Sequence, residues 1–143
     1  ILYTTKVKKE ARVVVDDFGI CSTTNDAIIK LTKLDLIDEV SILVNFIDEC
    51  LEDLYYLKNR TVNKSLHFNL TEGKPLRLKR GSLLVSNKGL FRFGPWGLLA
   101  LSIIKKSQIR EDIKRELHEQ VEFFFHHFQT ELFSINGHQH IHV

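Results

Sequence analysis

Short apolar runs alternate with longer amphipathic segments along this chain. The apolar runs predict strands at 12–16, 40–44, 65–70 and 132–135. Segments whose apolar residues recur every three or four positions predict helices at 26–34, 48–58, 98–104 and 107–128. Serine and threonine at 22–24, and Ser107, are expected to cap the first and last helices. The alternation predicts an α/β fold with a parallel sheet and right-handed crossovers.

Residues 73–97 interrupt this pattern. They contain five of the chain's seven glycines and both prolines, which predicts a long loop with a short hairpin near residues 87–89. A loop of this length within a compact domain usually has a function, so it is the expected cover of a binding site.

Polar residues collect at the carboxyl ends of the predicted strands. They are Asp16 and Asp17 for the first strand, Asn45 for the second, His67 and Asn69 for the third, and His138 for the fourth. Binding sites of parallel α/β folds lie at this edge of the sheet. The pattern therefore predicts that these residues share one site.

The C-terminal segment has histidine at three alternate positions, His138, His140 and His142. In an extended backbone, alternate side chains point to the same side, and neutral imidazole is the commonest metal ligand. An inert tail or a purification tag is the alternative. A tag is usually uninterrupted histidine, whereas Gln139 and Ile141 intervene here, and this favours a functional site.

Asp17, His67 and His138 form a set of one carboxylate and two imidazoles from three strands. Such a set leaves coordination positions for water and substrate. It suits a divalent ion such as zinc, and also magnesium or manganese when waters complete the shell. The structural alternatives are a turn or helix cap at the acids and a hydrogen-bonded core histidine at position 67.

Asp16 is the expected general base, because a carboxylate beside the metal ligands can accept a proton from water. Adjacent strand residues point to opposite faces, so both acids can share one site only if the backbone turns at this point. The following Phe18-Gly19 allows such a turn. His142, or less favourably His140, is the expected proton donor to a leaving group.

Composition excludes several classes of protein. The formal net charge of the 143 residues is +2, which gives no reason to expect a nucleic acid or an anionic membrane as partner. No apolar run reaches the roughly 18 residues of a transmembrane helix. Cys21 and Cys50 form no C-x-x-C pair and are interpreted as reduced thiols. These thiols favour an intracellular protein, no secretory signal is evident, and the length fits a single domain.

A response-regulator receiver domain is an alternative of suitable length, because it also has paired acids at the end of its first strand. A receiver needs a phosphoacceptor aspartate at the end of its third strand. Here that place holds His67-Phe68-Asn69, which disfavours a phosphorylation module.

Three longer motifs carry a family resemblance. They are VDDFG at 15–19, HFNLTEGKPL at 67–76 and NGHQHIHV at 136–143. In this order they resemble the YdjC-like carbohydrate deacetylases, a family that includes chitooligosaccharide deacetylases. The resemblance implies a partial (β/α)-barrel-like fold and metal-dependent removal of acetyl groups from sugar amides.

By motif position, the resemblance implies that Asp17, His67 and His138 hold a divalent metal ion, Mg or Zn, and that Asp16 is the base. It also implies an N-acetylated sugar or oligosaccharide as substrate, a homodimer and a cytoplasmic location. The candidate substrate-binding residues are Asn45, Asn69, Trp96 and His140. Trp96 is expected either to stack on a sugar ring or to pack beneath the long loop.

Members of the resembled family are longer than this chain, which stops at the third motif. We therefore expect residues 1–143 to be a single domain that forms the N-terminal part of a longer barrel-like deacetylase domain. The alternative is a shortened, non-catalytic form that binds a sugar or a protein partner.

Overall fold

The computed structural model describes residues 11–129 and 134–141. The strands are β1 (Val14–Phe18), β2 (Glu39–Ile42), β3 (Asn63–Phe68) and β4 (Ile135–Gly137). The helices are α1 (Ser22–Lys33), α2 (Leu51–Lys58), α3 (Pro95–Ile104) and α4 (Lys106–Phe128). Two 3₁₀ turns, Val44–Glu49 and His138–His140, follow β2 and β4.

The four strands form one parallel sheet in the order β1-β2-β3-β4. This confirms the predicted α/β fold of alternating units. Each strand pairs with the next one in sequence, which is the neighbour order of a (β/α) barrel. A receiver-like domain instead has the strand order 2-1-3-4-5. The topology therefore contradicts the receiver-like alternative.

The ends of all four strands differ from the predicted ones by one to three residues, and the changes in β1 and β4 affect the candidate site. β1 continues through both acids, because Phe18 still pairs with Ile42 of β2. β4 lies at 135–137, where Asn136 pairs with His67 of β3. Residues 132–133 of the predicted strand lie outside the described part of the chain.

Helix starts also differ from prediction. α1 begins at Ser22 and α4 at Lys106, and neither N-cap residue makes a side-chain capping hydrogen bond. Ser22 and Ser107 are already inside the first turn, so the predicted caps are wrong. α3 begins at Pro95, since proline has the backbone angle of a first helical turn and needs no N–H donor there. Within the described ranges, no helix is long and apolar enough to cross a membrane.

The two faces of the sheet differ in chemistry. On one face Val40, Ile42, Leu66 and Phe68 belong to the buried apolar core. The residues that alternate with them include Glu39, Ser41, Ser65 and His67. The hydroxyls of Ser65 and Ser134 donate to the carboxylate of Glu39, which also pairs with Arg12. This second face is therefore polar along its length, and the candidate site lies at its carboxyl end.

Helix α4 holds the start of the long loop in place. Glu116, which is fully buried, accepts hydrogen bonds from the three successive backbone N–H groups of residues 76–78. Gln120, also fully buried, bonds both the N–H and the carbonyl of Asn69. Further along the loop, an antiparallel bridge joins Val85 to Phe91, which confirms the predicted hairpin. The loop is thus fixed to the helix by buried polar groups.

Asp35 lies just after α1, beyond the C-cap residue Leu34, in the left-handed conformation with φ of 52°. Its N–H and that of Leu36 donate to the carbonyls of Thr32 and Leu31, which is the pattern of a Schellman cap. Asp35→Gly removes the steric cost of this conformation, so we expect the free energy of unfolding to rise by about 0.5–1 kcal/mol. Urea denaturation measures the change. Lys30→Gly in the same helix should instead lower it by about 1 kcal/mol. Loss of stability in Asp35→Gly would contradict the expected gain.

Candidate functional site

The backbone turns sharply at the end of β1. Asp17 has φ of 68°, in the left-handed region that few residues other than glycine adopt, and the β1–β2 register shifts at this point. Gly19 follows with φ of +106°, and its N–H donates to Oδ1 of the buried Asn25 at 2.8 Å. This is the turn expected at Asp16 and Asp17, and it directs Asp17 toward the ends of β3 and β4.

Asp17, His67 and His138 converge at the carboxyl edge of the sheet. Asp17 Oδ1 lies 2.8 Å from His138 Nδ1 and 3.1 Å from His67 Nε2. The two ring nitrogens are 3.3 Å apart. Both imidazoles are buried, whereas the side chain of Asp17 is 40% exposed. The cluster is therefore open to solvent on the side of the carboxylate, as access by water and substrate requires.

The three converging atoms fit a divalent metal ion. Zinc bonds imidazole nitrogen and carboxylate oxygen at about 2.0–2.2 Å. The sides of the triangle, 2.8 to 3.3 Å long, are short enough for one point to lie at that distance from all three corners. Two imidazoles and one carboxylate are donors that zinc favours, whereas magnesium favours oxygen. The structure thus brings the predicted ligands together, and their metal binding stays a prediction.

Asn136 fixes the orientation of His67. Its Oδ1 lies 2.6 Å from His67 Nδ1, and an amide oxygen only accepts hydrogen bonds. The hydrogen of the neutral ring is therefore on Nδ1, and the lone pair is on Nε2, which faces Asp17. Such a partner orients a ligating histidine in many metal sites. Apart from the position of Asn136 at the end of β4, no feature of the sequence indicated this role.

The same amide connects His67 to Asp16. Asn136 Nδ2 donates to Asp16 Oδ1 at 2.9 Å and to Ser41 Oγ at 3.1 Å. Asp16 is exposed, so its carboxylate is accessible to water while one oxygen is held. The structure places the expected base beside the residue that orients a candidate ligand, and its catalytic role stays a prediction.

Asn45 and Asn69 build the loop that follows β3. Asn69 Nδ2 donates to Asn45 Oδ1 and to the Glu72 carbonyl, and its Oδ1 accepts the backbone N–H groups of Thr71 and Glu72. Asn45 Nδ2 donates to the carbonyls of Glu72 and Lys74. The side-chain N–H groups of Asn45 and Asn69 therefore donate hydrogen bonds to protein oxygen atoms. Substrate binding by these two residues stays a prediction.

Two further candidate residues, Trp96 and His140, lie at the surface. Trp96 is 83% exposed, so it does not pack beneath the loop, and its face is accessible to a ligand. His140 is exposed, with φ of 57°. His142 lies outside the described residues, and its role as a proton donor stays a prediction.

Two residues that the sequence did not single out lie beside His138. Glu72 Oε2 is 3.6 Å from His138 Nε2, and Gln139 Nε2 donates to Glu72 Oε1 at 2.6 Å. Glu72 belongs to the second of the three motifs and Gln139 to the third. Their meeting depends on the fold, because 67 positions separate them.

The sequence matches known proteins over most of its length. A family described as YdjC-like protein matches residues 12–143. The chain is 33% identical to a carbohydrate deacetylase of Danio rerio, over 90% of this chain and 40% of that protein. It is 32% identical to those of Mus musculus and Homo sapiens, over 92% of this chain and 42% and 40% of theirs. The chain therefore spans about 40% of the length of these relatives.

A solved structure supports the fold independently. The crystal structure of an Enterococcus faecalis protein, proposed to act in cellobiose-phosphate cleavage, has a TM-score of 0.72 to this chain. The match covers 92% of this chain and 49% of the other, at 23% sequence identity. At that identity the likeness shows a shared fold.

Proposed function

The chain belongs to the YdjC-like family, and on this basis we propose that it hydrolyses the acetamide group of N-acetylated sugars or oligosaccharides with the help of a divalent metal ion. The observation that carries the proposal is the convergence of Asp17, His67 and His138, whose ligand atoms lie within 4.8 Å of one another. The carbohydrate deacetylases among its relatives support the acetamide as the bond cleaved.

Asp17, His67 and His138 would hold the metal ion, with zinc or magnesium as the candidates. A divalent ion, when bound, polarises a substrate carbonyl and lowers the pKa of water in contact with it. The protein's own contribution is to hold three donors in place before the ion arrives. The bond from His67 Nδ1 to Asn136 Oδ1 keeps Nε2 directed at the centre.

Asp16 would take the proton from the attacking water. Its Oδ1 is held by Asn136 Nδ2, so the carboxylate has a fixed place beside the candidate ligands. His142 would return a proton to the leaving amine. Trp96, with its exposed ring, would stack on a sugar, and Asn45, Asn69 and His140 would line the approach. We also propose that the protein is a cytoplasmic homodimer, as its resemblance to the YdjC-like family implies.

Acetate release from N-acetylated chitooligosaccharides tests the proposed activity. We expect release to fall to background after chelation and to return on adding Zn²⁺ or Mg²⁺, because the ion would supply the polarisation of the substrate carbonyl. Metal content is measured in parallel, and fully deacetylated oligosaccharide serves as the blank. Acetate release that persists after complete metal removal would contradict the proposal, as would a protein that neither binds metal nor releases acetate.

A further inference from the structure

His138 presents two nitrogens to different surroundings. Nδ1 faces Asp17 and His67. Nε2 is buried and has no hydrogen-bond partner among the described residues. A buried polar group without a partner is uncommon in a folded protein and calls for an explanation. The metal proposal sharpens the question, since a lone pair on Nδ1 requires the hydrogen of the neutral ring to be on Nε2.

A carboxylate lies close to this nitrogen, since Glu72 Oε2 is 3.6 Å away. That separation is just beyond hydrogen-bond range, and a small rotation of the side chain would close it. An imidazole with its lone pair on Nε2 would direct that lone pair at a carboxylate, which is unfavourable. Without a metal ion, Asp17 Oδ1 at 2.8 Å favours the hydrogen on Nδ1. When Nδ1 gives its lone pair to a metal ion, the hydrogen of the neutral ring is on Nε2, and Glu72 lies where it can accept it.

The surroundings of Glu72 hold it in this place. Its carbonyl accepts from the side-chain amides of Asn45 and Asn69, and its N–H donates to Asn69 Oδ1. Gln139, next to His138 in sequence, donates to Oε1 at 2.6 Å. This leaves Oε2 as the carboxylate oxygen nearest the ring. Both backbone groups and one side-chain oxygen are thus fixed, as expected for a residue that orients another.

We propose that Glu72 is a positioning residue, which accepts a hydrogen bond from His138 Nε2 and thereby directs Nδ1 at the metal centre. The inference rests on the proposed function, because it assumes that Asp17, His67 and His138 bind a metal ion. It adds a carboxylate–histidine pair to the centre, alongside the amide–histidine pair of Asn136 and His67. Partners of this kind typically change metal affinity by about 10- to 100-fold.

Titration calorimetry with Zn²⁺ on Glu72→Gln and Glu72→Ala tests the pair. We expect Zn²⁺ affinity to fall by about 10- to 100-fold in Glu72→Ala. The loss should be smaller in Glu72→Gln, since the amide oxygen can still accept from Nε2. The visible absorption of bound Co²⁺ should shift in both variants. Glu122→Gln, an exposed change on α4, is the matched control and should bind Zn²⁺ like the wild type.

Melting temperatures without metal distinguish positioning from a purely structural role. A positioning role leaves the metal-free melting temperature near that of the wild type and reduces only the increase that Zn²⁺ produces. A variant with unchanged Zn²⁺ affinity and Co²⁺ spectrum, with or without a lower melting temperature, would overturn the inference and leave the proposed function standing. A wild-type protein that binds no metal would overturn both.

Discussion

His67→Ala is expected to lower kcat/KM for acetate release by about 10³-fold or more, since it removes one of three donors on which polarisation of substrate and water would depend. The variant also loses the bond from Nδ1 to Asn136, which holds Asp16. The affinity for Zn²⁺ should also fall, because one of the three candidate ligands is missing. Calorimetry and the acetate assay on the same preparation measure the two losses.

A second variant separates the loss of the donor from a loss of folding, because His67 is only 4% exposed. In His67→Asn, the side-chain amide keeps a donor close to the position of Nδ1, but no atom replaces Nε2. It should melt closer to the wild type than His67→Ala while remaining inactive. His118→Ala, at an exposed position of α4, is the control. Activity that survives in His67→Ala or His67→Asn would show the metal-site hypothesis to be wrong.

Asp16→Asn is expected to lower kcat by about 10²- to 10⁴-fold, the range of general acid–base catalysis, while Zn²⁺ affinity and KM stay close to those of the wild type. Asparagine has nearly the same shape as aspartate, and its Oδ1 can still accept from Asn136 Nδ2. It cannot take up a proton from water. Steady-state kinetics and calorimetry measure the split between kcat and metal binding.

The outcome of this substitution decides between two roles for the exposed carboxylate. A full loss of Zn²⁺ binding in Asp16→Asn would make Asp16 a ligand instead of a base. Unchanged kcat would remove it from the mechanism. Asp26→Asn, at an exposed position of α1, makes the same chemical change away from the site and should behave as wild type.

Strand and helix order could be predicted because it depends on local periodicity. Apolar residues of β2 and β3 repeat every second position, and those of α4 every third or fourth, whatever their neighbours in space. Exact ends could not be predicted. Ser22 and Ser107 have the residue type of a cap, yet each helix begins before its hydroxyl can act.

The candidate ligands could be located because parallel strands bring their carboxyl ends to one edge. Asp17, His67 and His138 each lie at such an end, so residue type and strand order were sufficient. Asn136, Glu72 and Gln139 could not be identified in this way. Polar side chains of these types are common on surface loops, so residue type alone does not indicate a role. Their roles are inferred from contacts with residues distant in sequence.

The linear order of residues was enough to predict the alternating architecture, the edge of the sheet that carries the candidate site and the residues with donor groups for a metal. How those donors face one another depends on the folded chain. The left-handed backbone at Asp17 turns its carboxylate toward the imidazoles. The nitrogen that each histidine directs at the centre depends on its neighbours, Asn136 for His67 and, in our proposal, Glu72 for His138. Hydrogen bonds between residues distant in sequence determine which nitrogen faces the centre, and these bonds cannot be predicted from periodicity or motif spacing.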